Sequence, residues 1–219
     1  GRYADVMERA LYNGVISGMS LDGKKFFYVN PLEVVPEACE KDYNKRHVKP
    51  VRQKWFGCAC CPPNVARLLS SLGGYAFEEN EQEVYVNLYT GGILDTVKNG
   101  KKNRLVFETE YPWKGQVKIR IENQEDTEFT LALRIPGWCR NYALKVNGGE
   151  AEKKPEKGYI LLERTWENGD EISLDMDMPV QLLEADPRVR EDIGKVAVTR
   201  GPIVYCLEEA DNGDQLQEI

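Results

Sequence analysis

Hydrophobic residues recur at helical spacing in two segments of the N-terminal third of the chain. In residues 2–18 they lie three or four positions apart, and the same spacing returns after Asn64 and continues to Leu72. Gly73 and Gly74 follow directly, and glycine commonly ends a helix. The pattern predicts one amphipathic helix over residues 2–18 and a second over about 61–72. The residues that define the two faces are Tyr3, Val6, Met7, Ala10, Leu11, Val15, Val65, Leu68, Leu69 and Leu72.

From about residue 83 the period changes from helical to two, which is typical of β-strands with one buried face. About ten short runs follow, separated by Asn-Gly, Gly-Gly and proline turn signals. Helices first and strands afterwards indicate an α+β chain of two units, residues 1–82 and 83–219, the second an antiparallel β-sandwich. The predicted strands are residues 84–89, 104–108, 117–121, 129–135, 142–146, 159–163, 171–176, 180–183, 195–198 and 203–207.

The stretch between the two predicted helices, residues 19–58, shows neither period. It contains proline-bounded turns and a charged run over residues 40–46. A structureless connection of this length is uncommon in a compact domain unless it serves a function. We expect it to cover a site.

Composition excludes some classes of function. The chain has 219 residues, 42% of them hydrophobic, and a formal net charge of −7 with no basic stripe, which argues against nucleic-acid binding. No run approaches the roughly 20 apolar residues that span a bilayer, so no membrane partner is expected. Because the chain begins Gly-Arg-Tyr within a helical pattern, we expect it to be a fragment of a longer protein.

Six cysteines occur, and three of them, Cys58, Cys60 and Cys61, fall within four residues. Such crowding does not suit a disulfide framework, and a chain of this size does not need one. Metal binding or thiolate chemistry in a reducing compartment, hence the cytoplasm, is the better interpretation.

The paired thiols Cys60 and Cys61 stand directly before Pro62, at the start of the second predicted helix. The positive end of a helix dipole favours thiolate over thiol, and only the thiolate is a competent nucleophile or zinc ligand. A closed structural zinc site needs four ligands, usually from two separated cysteine pairs, and no second pair is present. The residues alone therefore leave three alternatives: an incomplete zinc site, a reactive thiol, or no function.

Five motifs in the same order resemble those of the bacterial β-L-arabinofuranosidases. The central motif is Cys-Cys-Pro-Pro-Asn at residues 60–64, preceded by Trp-Phe at 55–56. The others are Tyr-Ala-Asp-Val-Met-Glu at 3–8, Phe-Tyr-Val-Asn-Pro-Leu at 27–32, Leu-Arg-Ile-Pro-Gly-Trp at 133–138 and Arg-Gly-Pro-Ile-Val-Tyr at 200–205. The set spans nearly the whole chain and is far more specific than any single motif.

The resemblance implies an (α/α)6-barrel catalytic domain, whose C-terminal part is residues 1–82, followed by β-sandwich structure. It implies a retaining hydrolase of terminal β-L-arabinofuranosyl groups in oligosaccharides or glycoconjugates, with Zn²⁺ as cofactor and a homodimer kept as a candidate assembly. Cys60 then falls on the nucleophile and a zinc ligand, and Cys61 on a further zinc ligand. Glu8 and Tyr28 fall on residues that contact or support the sugar.

The same resemblance implies that a Glu-x-Cys ligand pair and the general acid/base glutamate precede this chain, so we expect the isolated chain to be inactive. Glu37-Ala38-Cys39 has the Glu-x-Cys spacing, but we interpret it as an exposed glutamate beside a half-buried cysteine. For Glu8 a solvated charge or a local ion pair, and for Tyr28 simple packing, stay open as alternatives.

Two other classes of function are considered. The runner-up is a non-catalytic carbohydrate-binding or structural β-sandwich module, for which no metal and no reactive thiol are expected. A thiol redox protein is disfavoured because no βαβ pattern surrounds the cysteines.

Overall fold

The computed structural model describes the chain except for residues 30–33, 46, 59, 214 and 217–219. The Asn-Pro-Leu end of the motif at 27–32 therefore lies outside the described residues. The chain forms two compact units, one of residues 6–76 and one of residues 1–5 with 77–219.

The first predicted helix is present but changes its geometry along its length. An α-helix, α1, spans Arg2–Arg9, a π-helical turn follows over Ala10–Val15, and a 3-10 turn over Ile16–Gly18. The Asn13 side chain donates a 2.8 Å hydrogen bond to the carbonyl oxygen of Arg9. Asparagine is a poor helix former because its side chain competes for backbone hydrogen bonds, and glycine is one because it loses more backbone entropy. Asn13 and Gly14 both lie inside the π-helical turn.

The buried face of this helix differs from the predicted one. Ala4, Glu8 and Leu11 are buried, whereas Tyr3 and Val6 are exposed. The buried set has the i, i+4, i+7 spacing of one helix face, with a carboxylate at its centre. The prediction followed hydrophobicity alone and therefore selected the neighbouring face.

The stretch over residues 19–58 folds back on itself. Phe26 forms antiparallel bridges with both Met19 and Gln53. A short helix, α2, spans Pro36–Lys41, and a 3-10 turn spans Tyr43–Lys45. The loop therefore has local structure, which its irregular pattern did not predict.

The second predicted helix, α3, spans Cys61–Ser70, and a further turn of helix, α4, spans Gly73–Ala76. The Gly73-Gly74 pair thus follows the end of α3, as predicted, but it also begins α4. None of the residues of α3 is buried.

The second unit holds the strands, in three sheets. Strands β1, β2, β6 and β9 form one sheet in that order, and β3, β4, β5, β10, β7 and β8 form another. Strands β11, β12 and β13 form a third sheet, followed by the short helix α5. The bounds are β1 Phe77–Glu79, β2 Glu83–Val86, β3 Gly92–Lys98, β4 Lys101–Thr109, β5 Gln116–Asn123, β6 Thr127–Arg134, β7 Tyr142–Val146, β8 Gly149–Glu150, β9 Tyr159–Trp166, β10 Glu171–Met176, β11 Val180–Glu184, β12 Val196–Arg200, β13 Ile203–Tyr205 and α5 Glu209–Asn212.

Most neighbouring strands are antiparallel, and tight turns explain the hairpins. Asn99 and Gly100 have φ of 51° and 76° between β3 and β4, and Asn147 and Gly148 have φ of 52° and 77° between β7 and β8. Two successive left-handed residues are what a type I′ hairpin turn requires, which is why Asn-Gly occupies both. One pair, β2 with β6, is parallel, so the wholly antiparallel arrangement predicted from the sequence is wrong at that pair.

The core of this unit lies between the four-stranded and six-stranded sheets. Phe77 of β1 contacts Phe107 of β4, with ring centroids 5.0 Å apart. Trp166 is fully buried and donates its indole N–H to the carbonyl oxygen of Phe129 at 3.0 Å. The alternating inward residues of β4, β5, β6 and β10 are buried as their period predicts. The α+β class with a β-rich second unit is therefore confirmed.

In the part of the chain that the structure describes, no helix is long and apolar enough to cross a membrane.

Candidate active site

The start of α3 carries the paired thiols. Cys61 is the first residue of the helix, Cys60 precedes it with helical backbone angles, and Pro62 and Pro63 lie in the first turn. Proline is tolerated there because the first N–H groups of a helix have no partner within it. The Cys60 carbonyl oxygen accepts the first helical hydrogen bond, from the Asn64 N–H at 3.2 Å. The motif thus sets both the helix start and the position of the thiols.

Three sulfur atoms cluster at this helix end. The Sγ atoms of Cys58 and Cys60 are 3.2 Å apart, and those of Cys60 and Cys61 are 3.7 Å apart. All three are free thiols, and Cys58 and Cys60 are exposed. A reagent or metal can therefore reach the cluster.

Hydrogen bonds between the thiols shift the pKa values of Cys58 and Cys60 in opposite directions. The Cys60 backbone N–H and then its thiol donate to Cys58 and lower the pKa of Cys58. The hydrogen bonds of Cys60 to Cys58 and then to Cys61 raise the pKa of Cys60 to about 11. The hydrogen bonds within the cluster therefore favour the thiolate form of Cys58 and the protonated form of Cys60.

Tyr28 lies beside the thiols. The charge of Cys58, followed by a side-chain hydrogen bond between the two residues, raises the pKa of Tyr28. Its ring centroid is 5.7 Å from that of Phe56, which in turn contacts Phe26 at 5.2 Å. Tyr28 is 43% exposed, so its side chain is only partly packed.

Cys60, Cys61 and Tyr28 line one cavity of about 610 Å³. That volume is typical of small-molecule sites, which run from about 300 to 1,000 Å³. The lining that bears on chemistry is Cys60, Cys61, Tyr28, Trp55, Lys25 and Lys54. Trp55 is 64% exposed, and an exposed aromatic ring offers a surface for the apolar face of a sugar.

The other candidates lie elsewhere. Glu8 is only 1% exposed, which excludes the solvated-charge alternative, and it does not line the cavity. Its predicted part in substrate binding stays a prediction. Glu37 is exposed and pairs with Lys41 at 3.0 Å, while Cys39 is buried, so this Glu-x-Cys pair does not converge. The single histidine, His47, is exposed.

Within the described residues, no group of three or more His, Cys, Asp or Glu side chains is arranged to hold a metal ion.

Comparison with known proteins gives matches over nearly the whole chain. Residues 1–74 match the β-L-arabinofuranosidase catalytic domain of glycoside hydrolase family 127, and residues 83–178 match its middle domain. Residues 180–219 match the C-terminal domain of the same family. The chain belongs to glycoside hydrolase family 127. The resemblance inferred from the five motifs is confirmed.

Individual family 127 proteins agree with this assignment. A non-reducing end β-L-arabinofuranosidase of Bifidobacterium longum subsp. longum is 41% identical over 99% of this chain and 33% of its own length. The crystal structure of a family 127 β-L-arabinofuranosidase from Geobacillus stearothermophilus T6 is 55% identical, with a TM-score of 0.92 over 98% of this chain and 34% of that one. A structure described as a glycoside hydrolase is 42% identical, with a TM-score of 0.89 over 98% of this chain and 36% of that one.

The chain thus spans about a third of the length of the family 127 relatives that it matches. Besides the part that matches this chain, each of these relatives has about twice as many further residues as this chain contains.

Sequence reasoning missed three parts of the site. Cys58 is a member of the sulfur cluster, and its signal was the presence of three cysteines within four residues. Trp55, which the sequence singled out only as part of the motif before the thiols, lies on the cavity, two residues before Gly57. Lys25 and Lys54 had no signal, because only the Phe26–Gln53 bridge brings their segments together.

Proposed function

We propose that this chain supplies the nucleophile and two zinc ligands to a retaining glycoside hydrolase that removes terminal β-L-arabinofuranosyl groups. The observation that supports this most directly is the pair of sulfur atoms on Cys60 and Cys61, 3.7 Å apart at the start of α3 and lining a cavity of about 610 Å³. Membership of a glycoside hydrolase family makes a sugar the natural ligand of that cavity.

The distance between these two sulfurs suits zinc. Zinc binds thiolate at about 2.3 Å in tetrahedral geometry, which puts two ligand sulfurs on the order of 3.8 Å apart. Cys60 and Cys61 lie at 3.7 Å, whereas Cys58 and Cys60 lie at 3.2 Å. The pair Cys60 and Cys61 therefore fits two corners of the tetrahedron better than the pair with Cys58. A bound zinc ion would supply the positive charge that keeps both sulfurs deprotonated.

The reaction we infer has two steps at Cys60. Its sulfur forms a bond to the anomeric carbon while the bond to the leaving oxygen breaks, and that oxygen takes a proton from a general acid. Water then attacks the same carbon, gives its proton to the base and releases the sulfur. Two inversions give net retention, with sulfur in the place of the usual carboxylate nucleophile.

The remaining residues have supporting roles in this proposal. The Tyr28 side chain hydrogen-bonds to Cys58 and lines the cavity, where it can contact the sugar beside the reacting carbon. Trp55 can cover an apolar sugar face. Glu8, at the centre of the buried face of α1, would hold its surroundings in place or contact the sugar.

The rest of the site would come from parts of the enzyme outside this chain. Two further zinc ligands, a Glu-x-Cys pair, and the general acid/base glutamate belong in this proposal to the preceding helices of an (α/α)6 barrel.

The test uses the full-length protein and two matched cysteine variants. Cys60→Ala is expected to abolish turnover of a synthetic β-L-arabinofuranoside and to lower the zinc content measured by elemental mass spectrometry, because it removes both the nucleophile and a ligand. Cys206→Ala, which removes an exposed thiol outside the cavity, is expected to change neither. A full-length Cys60→Ala protein that retains its turnover would overturn the nucleophile assignment.

Two further measurements complete the test. The isolated 219-residue chain is expected not to hydrolyse the same substrate, and hydrolysis by it would contradict the division of the site. The full-length protein should be quenched rapidly, digested and examined by mass spectrometry. The peptide that contains Cys60 should then carry one added pentosyl group. A carbohydrate-binding module would bind the sugar without any covalent adduct or bound zinc.

A further inference from the structure

The cavity that contains the thiols carries a local charge opposite to that of the whole chain. Lys24, Lys25 and Lys54 line it, and no aspartate or glutamate is among its lining residues. The chain as a whole has a formal net charge of −7. A basic cavity in an acidic chain attracts anions to that site only.

The backbone register places two of these lysines opposite each other. Phe26 and Gln53 exchange both backbone hydrogen bonds, each at 2.9 Å, so Lys25 faces Lys54 and Phe27 faces Arg52. The contact between Phe27 and Arg52 agrees with this register, because the Arg52 guanidinium lies 4.7 Å from the centroid of the Phe27 ring. Two like charges directly opposite each other destabilise such a pairing. The local fold therefore bears a cost that an anion between the two ammonium groups would relieve.

Within the described part of the chain these lysines form no ion pair, although the charge of Lys25 acts on Asp22. None of the three lysines takes part in the ion pairs found among the described residues. Asp22 is the acidic neighbour: hydrogen bonds from Ser20 and from the Lys24 backbone, and more weakly the charge of Lys25, lower its pKa. Asp22 lies outside the cavity lining. The thiols, in turn, owe the shifts of their pKa values to one another and to Tyr28 rather than to the lysines.

We propose that Lys25 and Lys54 select substrates in which the group that leaves from the arabinofuranosyl unit carries a carboxylate, as in a hexuronic acid. The proposal rests on the proposed hydrolase function. A β-L-arabinofuranosyl group is itself neutral, so an anion recognised beside the nucleophile must belong to the other side of the scissile bond. Lysine is a compact charge on a flexible stem and suits a carboxylate that varies in position.

The test compares a charged and a neutral substrate in the full-length protein. The probes are β-L-arabinofuranosyl-galacturonate and its methyl ester, which differ in one negative charge. The readout is the ratio of kcat/KM for the acid to kcat/KM for the ester, in the unmodified protein, in the double variant Lys25→Met and Lys54→Met, and in Lys49→Met. Lys49 is an exposed lysine of the same loop that does not line the cavity.

The ratio is expected to favour the acid and to fall roughly five- to tenfold in the double variant, since partly exposed ion pairs contribute modestly. It should keep its original value in Lys49→Met and decline as salt is added. A ratio that is the same in the double variant and the unmodified protein, or that favours the ester, would overturn the proposal. If neither probe nor any other β-L-arabinofuranoside is hydrolysed, the proposed function fails instead. The role of Lys25 and Lys54 in binding a carboxylate is then decided by comparing the affinity for free galacturonate of the unmodified protein with that of the double variant.

Discussion

At the scale of single residues, Gly115 shows how one missing side chain permits two strands to meet. It directly precedes β5, and its carbonyl oxygen accepts the Met176 N–H at 3.1 Å at the end of β10. A Cβ atom placed on Gly115 would lie 1.9 Å from the Met176 carbonyl oxygen and 2.9 Å from its carbon. Both are backbone atoms, so no side-chain rotation can relieve the clash. Only glycine fits this approach of β5 to β10.

Gly115→Ala is therefore expected to lower the free energy of unfolding by about 2–3 kcal/mol, as overpacking does when the backbone must shift. Urea denaturation of the purified protein measures it. The control is Gly91→Ala, since a Cβ there would lie 3.8 Å from the carbonyl oxygens of Phe107 and Thr109, an ordinary contact. That variant should stay within about 0.5 kcal/mol of the unmodified protein. Equal effects of the two substitutions would contradict the steric argument.

At the scale of elements, a carboxylate on β1 holds β3. Glu79 accepts hydrogen bonds from the Thr96 hydroxyl and, at 3.1 Å, from the Lys98 ammonium group, whose side chain is only 1% exposed. The Thr96 hydrogen bond, followed by the bond from Lys98 and its charge, lowers the pKa of Glu79 below 4.5, while burial acts in the opposite sense. Because the folded pKa is depressed, the unfolded state binds the proton more readily. The stabilisation is present above the unfolded pKa and is lost as the pH falls through the folded pKa.

The melting temperature of Glu79→Gln is accordingly expected to lie below that of the unmodified protein at pH 7, because Lys98 is left buried without its anion. The difference should shrink as the pH falls below about 4.5, where the unmodified carboxylate also loses its charge. Thermal unfolding followed by circular dichroism from pH 7 to pH 3 measures it. Asp95→Asn on the exposed face serves as the control for a general charge effect. A difference that stays constant with pH would show that the carboxylate charge is not what stabilises β3.

The same elements show what could be predicted from the sequence. The ten runs with a clear period of two all contain strands, because their alternation is set by burial within one segment. Three strands were missed: β3 contains Asp95 and begins with a glycine, and β1 and β8 have three and two residues. Such strands are defined by the partner they pair with rather than by their own composition. Their pairing is also where the parallel β2–β6 arrangement arises.

The residues of the candidate site likewise fall into those set by one contiguous segment and those set by pairing between segments. Cys60 and Cys61 could be assigned because the thiols, the prolines and the helix start are contiguous in the sequence. The lysines of the cavity could not, because their opposition depends on a bridge between Phe26 and Gln53 in a loop without a pattern. Glu8 was singled out by the resemblance, and its burial could not be predicted because hydrophobicity pointed to Tyr3 and Val6, which are exposed.

At the scale of the whole molecule, the N-terminal segment is joined to the strand unit by a buried ion pair between residues 129 positions apart. The Arg134 guanidinium is fully buried and donates to Asp5 Oδ1 at 2.7 Å and to the carbonyl oxygen of Asn87. Asp5 Oδ1 also accepts the Gly137 N–H at 3.1 Å. The Tyr159 hydroxyl donates to Asn87 Oδ1 at 2.7 Å and completes the network. A buried guanidinium with this many partners fixes residues 1–5 on β6.

Two ion pairs in this unit share one distance and differ in burial, which makes their comparison decisive. Arg104 and Asp95 also lie 2.7 Å apart, but their side chains are 49% and 64% exposed, against 0% and 31% for Arg134 and Asp5. Asp5→Asn leaves a buried cation without its anion and should lower the free energy of unfolding by about 3 kcal/mol. Asp95→Asn should cost less than about 1 kcal/mol, because water solvates the cation that remains.

Denaturant unfolding measures both, and the double variant Asp5→Asn with Arg134→Met supplies the internal check. If the cost of Asp5→Asn arises from the charge stranded on Arg134, then removing that charge should restore part of the stability. If instead Asp5 acts only through its hydrogen bond to Gly137, the second substitution adds its own cost and nothing is restored. A loss for Asp5→Asn no greater than that for Asp95→Asn would mean that burial of the guanidinium does not hold residues 1–5 in place.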